Sequence, residues 1–211
     1  MDSVLMSAIA GQLGSNQPPN DAKLAQITEL QVAHAESLTG LERCRGLEIL
    51  IMTGCDAASA PLANMSSLSV VISRDSALEE LASFSTSVNV VELMRNRVVD
   101  LSPLLRCPHL MRLDVTGNPL SDESYEMVIP ELLDRGVKIV KSGEREQKIN
   151  KLMYEMGLPY SYYRSGREFR LCRPGLRLTS FPERNHPIIP PDALERKLEE
   201  QPASVAELFE Q

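Results

Sequence analysis

Nucleophilic and metal chemistry near neutral pH is most often built from cysteine and histidine, and this 211-residue chain carries four of the first and three of the second. A nucleophilic dyad needs a thiol within hydrogen-bond reach of an imidazole. A zinc centre needs Cys or His ligands in close pairs such as C-x-x-C. Cys44, Cys55, Cys107 and Cys172 show no such pairing, and His34, His109 and His186 are widely separated. Only Cys107 and His109 lie near one another. The sequence contains no G-x-S-x-G, no H-E-x-x-H, no phosphate-binding loop and no dinucleotide-binding glycine pattern. No catalytic residue, metal ligand or cofactor is therefore expected. A second group could hold anions. Arg164, Arg167, Arg170, Arg173 and Arg177 are interleaved with Tyr160, Tyr162, Tyr163 and Phe169. Arginine among aromatics can stack on bases and grip phosphates, although the same composition also makes an ordinary hairpin with a solvated basic face. Arg164, Arg167, Arg170 and Tyr162 form the candidate anion-binding set.

The elements that carry these residues follow a rhythm that is neither helical nor strand-like. In Asp100–Leu120, Leu104, Cys107, Leu110 and Leu113 fall three apart, Val115 follows two on, Asn118 three on and Leu120 two on. A helix would place apolar residues at i, i+3, i+4, i+7, and a half-buried strand at i, i+2, i+4. The same spacing runs through Leu38, Leu41, Cys44, Leu47, Leu50, Met52 and Cys55. Leu62, Met65, Leu68, Val71, Ser73 and Ser76 repeat it with two polar lapses. Val88, Val91, Leu93 and Asn96 give its second half, preceded by Leu78, Leu81 and Phe84 one residue out of step. Leu24, Ile27, Leu30 and Val32, ending at Ala35, read as a worn first copy. The rhythm accounts for Cys44 and Cys107 as stand-ins for leucine, so the nearness of Cys107 to His109 needs no dyad.

These residues resemble the leucine-rich repeat, L-x-x-L-x-L-x-x-N/C-x-L at a period of about 20–29 residues. The stretch from Asn96 to Leu104, with its Asp100-Leu101-Ser102-Pro103-Leu104 return, resembles the bacterial internalin-like variant. The resemblance covers about residues 24–140 and implies an α/β solenoid with a parallel sheet on its concave face. Each coil would carry a short strand whose doublet, such as Leu113 and Val115, points inward. The Asn or Cys that closes it would satisfy backbone groups that no strand partner reaches. Ser76 could do so weakly and Ala35 not at all, so those turns are expected to be less regular.

Around this body the chain divides into residues 1–22, a cap helix with a linker, residues 23–141, the repeats, and residues 142–211, a small α+β extension. Leu5, Ile9 and Leu13 after Asp2-Ser3 fit a short helix over the open end of the first coil. After Asn118, Ser121 can cap a helix that Pro130 should kink or restart, and Gly136–Val140 reads as a last strand. In the extension, Ile149, Leu152, Met153 and Met156 predict a helix closed by Gly157. A hairpin is expected around Ser165-Gly166, then Pro-rich text, then two short helices with capping boxes beginning at Asp192 and Ser204.

Composition bounds the function. Hydrophobic content of 43% is globular, and no run approaches the roughly 18 apolar residues of a membrane helix. The apolar N-terminus lacks a basic stretch before it, so it does not read as a secretory signal, and cysteines used as core residues fit a cytoplasmic, reducing setting. Of the net charge of −7, residues 1–140 carry −8 and the remainder +1. An acidic body disfavours nucleic acid, leaving the arginine-rich extension as the only region that could hold it, and mildly favours basic partners.

Strand side chains alternate, so residues flanking each inward doublet face the concave side. Ile49, Ile51, Val70, Ile72, Val90 and Met94 would then form one apolar block across three strands, with Arg74, Glu92, Arg112 and Asp114 as a polar rim. Burying each aliphatic there would be worth about 1.5–3 kcal/mol, so a cover is expected. Either a partner protein or the chain's own extension would supply it. The reading that follows is a non-enzymatic protein-binding module, a scaffold or an immunity-type inhibitor. The competing one is an enzyme or nucleic-acid binder acting through the extension.

Overall fold

The computed structural model describes residues 2–14, 19–177 and 185–210. Six strands, β1 (Glu29–Ala33), β2 (Ile49–Thr53), β3 (Val70–Arg74), β4 (Val90–Met94), β5 (Arg112–Asp114) and β6 (Lys138–Val140), form one sheet in chain order. Every neighbouring pair is parallel. Leu50 pairs with Val71, Val71 with Val91, and Val91 with Leu113, so the inward doublets stack without slippage. One residue of slip would turn every doublet outward, which is what fixes the register. Leu30, Val32, Leu50, Met52, Val71, Val91, Leu93, Leu113 and Val115 are all buried. On the returning side Leu38, Leu41, Cys44, Leu47, Leu62, Met65, Leu68, Leu104, Cys107 and Leu110 are buried too, with short 3-10 turns at Leu41–Arg43 and Ser102–Arg106. The chain is a leucine-rich-repeat solenoid.

The closing residues do what their chemistry allows. The Asn118 side-chain amide donates to the carbonyls of Leu93 and Val115, and its oxygen accepts from Val98 N–H at 3.0 Å. Asn96 donates to Ser73 and Met94 carbonyls, while Ser73 Oγ donates to Asn96 Oδ1 at 2.9 Å. That bond explains why a serine is tolerated at a doublet position. The Cys55 thiol lies 3.6 Å from the Thr53 carbonyl. The turn at Ser76 is tighter than expected: its hydroxyl accepts from Cys55 N–H at 3.1 Å and donates to Arg74 C=O at 3.0 Å, so β3 keeps its full five residues. A single hydroxyl supplies one donor and one acceptor, which suffices there.

Helix α1 (Ser3–Leu13) covers the first coil with Leu5 and Ile9, and Asp2 caps it by accepting from Val4 and Leu5 N–H. A short α2 (Asp21–Leu24) leads into β1, and part of the linker before it, residues 15–18, lies outside the described residues. Beyond β5, Ser121 Oγ accepts from Ser124 N–H at 3.1 Å. The chain then widens into a π-turn over Ser124–Val128 before α3 (Ile129–Asp134). Pro130 has no N–H to offer, and Ile129 N–H reaches five residues back to Ser124 C=O.

The extension has its own core. Helix α4 (Glu144–Glu155), the antiparallel hairpin β7 (Ser161–Ser165) and β8 (Glu168–Cys172), helix α5 (Pro191–Glu200) and a 3-10 segment (Pro202–Phe209) bury Ile149, Met153, Tyr162, Leu171, Leu194, Leu198 and Val205. Ser165 pairs with Glu168, so the hairpin turn is Gly166-Arg167, one residue later than the alternation indicated. The expected capping boxes do not form. Pro191 opens α5, which puts Asp192 inside the first turn, and Ser204 Oγ donates to Gln201 C=O. Proline is preorganised for the first helical position, and it sets that boundary.

Candidate functional site

The sheet register lays the outward side chains in rows across the concave face. One row runs Glu29, Ile49, Val70, Val90, Arg112, Lys138, and the next Gln31, Ile51, Ile72, Glu92, Asp114, Val140. A third runs Ala33, Thr53, Arg74, Met94. Ile49, Ile51, Val70, Ile72 and Val90 are neighbours in register, Met94 lies beyond Glu92 and diagonal to Ile72, and each keeps part of its surface exposed. The rim is an ion-paired bridge. Glu92 sits between Arg74 and Arg112, each 3.2 Å from one of its oxygens, and its side chain is only 14% exposed. Glu92 therefore orients two guanidinium groups whose side chains are 45% and 53% exposed. Asp114 is nearly buried and accepts from Thr116 N–H at 3.0 Å, so it shapes the turn after β5. Val140, 46% exposed, extends the row beyond Asp114. Spacing gave it away poorly, because β6 belongs to no repeat.

None of the hydrogen bonds of the described part of the extension falls on this block. Its polar contacts fall on the flank where the strands end. Just after β1 to β4 stand His34, Gly54, Asp75 and Arg95, and Gly117 holds the matching place after β5; all five have positive φ. The N–H groups of His34, Gly54, Asp75 and Arg95 carry the ladder one residue further, to the carbonyls of Thr53, Arg74, Met94 and Thr116. On that column Ser161 Oγ donates to Gly117 C=O at 2.6 Å, Gly175 N–H donates to Asp75 C=O at 2.8 Å, and the Arg95 guanidinium stacks over Tyr163 at 4.6 Å. A Cβ on Gly117 would come within 2.5 Å of Ser161 Oγ, so glycine is required where the hairpin approaches.

Under the hairpin lies a polar cluster that spacing did not reveal. Arg95 holds Asp75 in a bidentate pair, Nε to Oδ1 at 2.5 Å and Nη2 to Oδ2 at 2.9 Å. The Cys172 thiol donates to Asp75 Oδ1 at 3.2 Å, and Tyr163 Oη lies 2.8 Å from His186 Nδ1. Asp75, Cys172 and His186 are 3%, 0% and 1% exposed. Burial disfavours the Arg95 charge, but the hydrogen bonds and charge of Asp75 outweigh it and hold the guanidinium protonated. Burial, and then Asp75, push the Cys172 thiol well above its usual range. Burial takes His186 down to about 4 and Tyr163 up to about 12. A thiol, an imidazole and a carboxylate together form the inventory of a cysteine hydrolase. Here the thiol is neutral and sealed from substrate, which a nucleophile cannot be. Cys172 was the one cysteine that no repeat position explained, and that was the available signal.

The candidate anion-binding residues are divided between the two faces of the hairpin. Tyr162 is buried and donates to Ile189 C=O at 2.8 Å. Arg164 lies over Phe169 and donates to Gly166 C=O, while Arg170 pairs with Glu168 on the opposite face. Arg167 occupies the turn and is exposed. Alternation puts Arg164 and Arg170 on different sides.

No protein-family model matches the sequence, and no curated protein sequence matches it. Among solved structures the chain is similar to an internalin, InlF, from Listeria monocytogenes, at 17% identity and a TM-score of 0.34 over 72% of this chain and 60% of that one. It is also similar to internalin C2 from the same organism, at 16% identity and a TM-score of 0.29 over 68% of this chain and 87% of that one. The chain thus spans less than two thirds of the InlF chain.

Proposed function

We propose that the protein binds a partner protein through the concave sheet and acts as a non-enzymatic interaction module. The observation that carries this reading is the aliphatic block of Ile49, Ile51, Val70, Ile72, Val90 and Met94. It spans three adjacent strands and is left facing outward while the extension occupies the flank. Contiguous aliphatics rimmed by polar groups mark an interaction surface rather than a solvated one. Arg74 and Arg112, held upright by Glu92, offer a complementary partner two directional donors beside that block. The coil style and the four buried, free cysteines fit a bacterial cytoplasmic setting. The small size and acidic body are compatible with a scaffold or an immunity-type inhibitor.

The test is capture from the source cell with the full chain and with Ile51→Asp, followed by mass spectrometry. The reading predicts a protein recovered by the first and lost with the second, at a melting temperature lowered by no more than about 2–4 °C. A partner retained at full yield by Ile51→Asp would move the working surface elsewhere.

A further inference from the structure

We propose that Asp75, Cys172 and His186 form a binding site for one divalent metal ion of the zinc class, pinning the C-terminal extension to the flank of the solenoid. One ligand atom from each residue, a ring nitrogen in the case of His186, lies within 4.8 Å of the other two, and the Cys172 Sγ to Asp75 Oδ1 distance is 3.2 Å. Tetrahedral zinc, with bonds of about 2.0–2.3 Å, holds its ligand atoms roughly 3.5 Å apart. The Cys172–Asp75 pair is already close to that spacing, and the His186 ring lies at most 4.8 Å from each. Thiolate with imidazole selects a borderline-soft ion over magnesium or calcium.

A second observation points to the same ion. His186 is 1% exposed and its Nε2 has no hydrogen-bond partner among the described residues, while Nδ1 is held by Tyr163 Oη at 2.8 Å. A polar atom at that depth has lost its water and gained no bond in return. With the proton on Nδ1, donated to Tyr163, Nε2 presents a lone pair in the arrangement that metal-bound histidines adopt, one nitrogen on the metal and the other hydrogen-bonded. Arg95 plays the equivalent part for Asp75, holding both carboxylate oxygens in a bidentate pair. Binding balances simply. The Cys172 thiol loses its proton to solvent and its sulfur takes the metal, so one proton is released per ion. The thiolate, Asp75 and Arg95 then sum to one negative charge, and the dication leaves a single positive charge beside the Tyr163 ring. Cys172 and Asp75 are 97 residues apart, so the ion would join the extension to the repeats.

The full chain, purified, stripped with a chelator and titrated with Co2+, tests the site. The expected result is one Co2+ per chain, a near-ultraviolet thiolate-to-cobalt band, displacement by Zn2+, and a higher melting temperature with Zn2+ than with chelator. Cys172→Ser should abolish the band, and His186→Gln should weaken Co2+ affinity at least tenfold. The proposal is overturned if stripped wild-type protein gives no thiolate band at millimolar Co2+, or if Cys172→Ser keeps it. Should either variant unfold, the wild-type titration and the zinc-dependent melting temperature decide by themselves.

Discussion

Leu50 and Ile51 are adjacent in β2, and a carboxylate placed at one should behave unlike a carboxylate placed at the other. Leu50 is 0% exposed. Leu50→Asp forfeits about 2–3 kcal/mol of apolar transfer, and a charge or proton stranded in the coil adds about 3 kcal/mol more. The sum, on the order of 5–6 kcal/mol, rivals the whole stability of an ordinary domain, about 5–15 kcal/mol. Ile51 points the other way, flanked in its row by Gln31 and Ile72, neither of them charged. Its side chain is already part-exposed, so Ile51→Asp should cost about 1 kcal/mol, a fraction of a full aliphatic burial. In urea, with a slope of about 2–3 kcal/mol per molar, the two midpoints should differ by about 1.5–2 M. Equal midpoint losses for the two variants would refute the assignment of odd and even positions to opposite faces. Ile72→Asp is a harder version of the same test, because its cross-strand neighbour is Glu92 and like charges repel.

Three further outcomes are expected. Cys44 is buried and its thiol is pushed up to about 11 by burial, leaving about a thousandth of it ionised at pH 8. Thiol-reactive dye should therefore label neither Cys44 nor Cys107 until denaturant is added, and rapid labelling of either in the native protein would contradict the repeat register. Asn118→Ala strands the Leu93 carbonyl and the Val98 N–H, while Val115 C=O keeps the Asn118 backbone N–H, and should cost about 2 kcal/mol or more by chemical denaturation; a loss below about 1 kcal/mol would mean the turn does not need its side chain. Gly117→Ala adds the left-handed penalty of about 1–2 kcal/mol and a clash with Ser161 Oγ. Limited proteolysis should then cut the extension sooner, and an unchanged digestion pattern would show that this contact does not seat it.

The solenoid was legible because its spacing is forced residue by residue. Leu104, Cys107, Leu110 and Leu113 each fill a place where only an apolar side chain of similar size fits, so the spacing matched the leucine-rich repeat, and that resemblance implied the strands and their register. The concave rows followed from alternation, and so did the location of Ile51 and Ile72. What spacing could not carry was the docking of the extension. It depends on positive φ at Asp75 and Arg95, residues that give no glycine signal for a left-handed backbone. It depends too on contacts such as Cys172 with Asp75, made across 97 residues. The misplaced cap at Asp192 had a local cause, since Pro190-Pro191 starts the helix earlier than the acidic residue indicates.

The central claim is that a partner sits on the concave sheet, and site-specific photo-crosslinking in the source cell tests it most directly. A photoreactive residue at Ile72, in the middle of the aliphatic block, is compared with one at Pro108, exposed on the returning side. A protein adduct from Ile72 and none from Pro108 is the predicted result. An adduct from Pro108 with none from Ile72 would contradict the account.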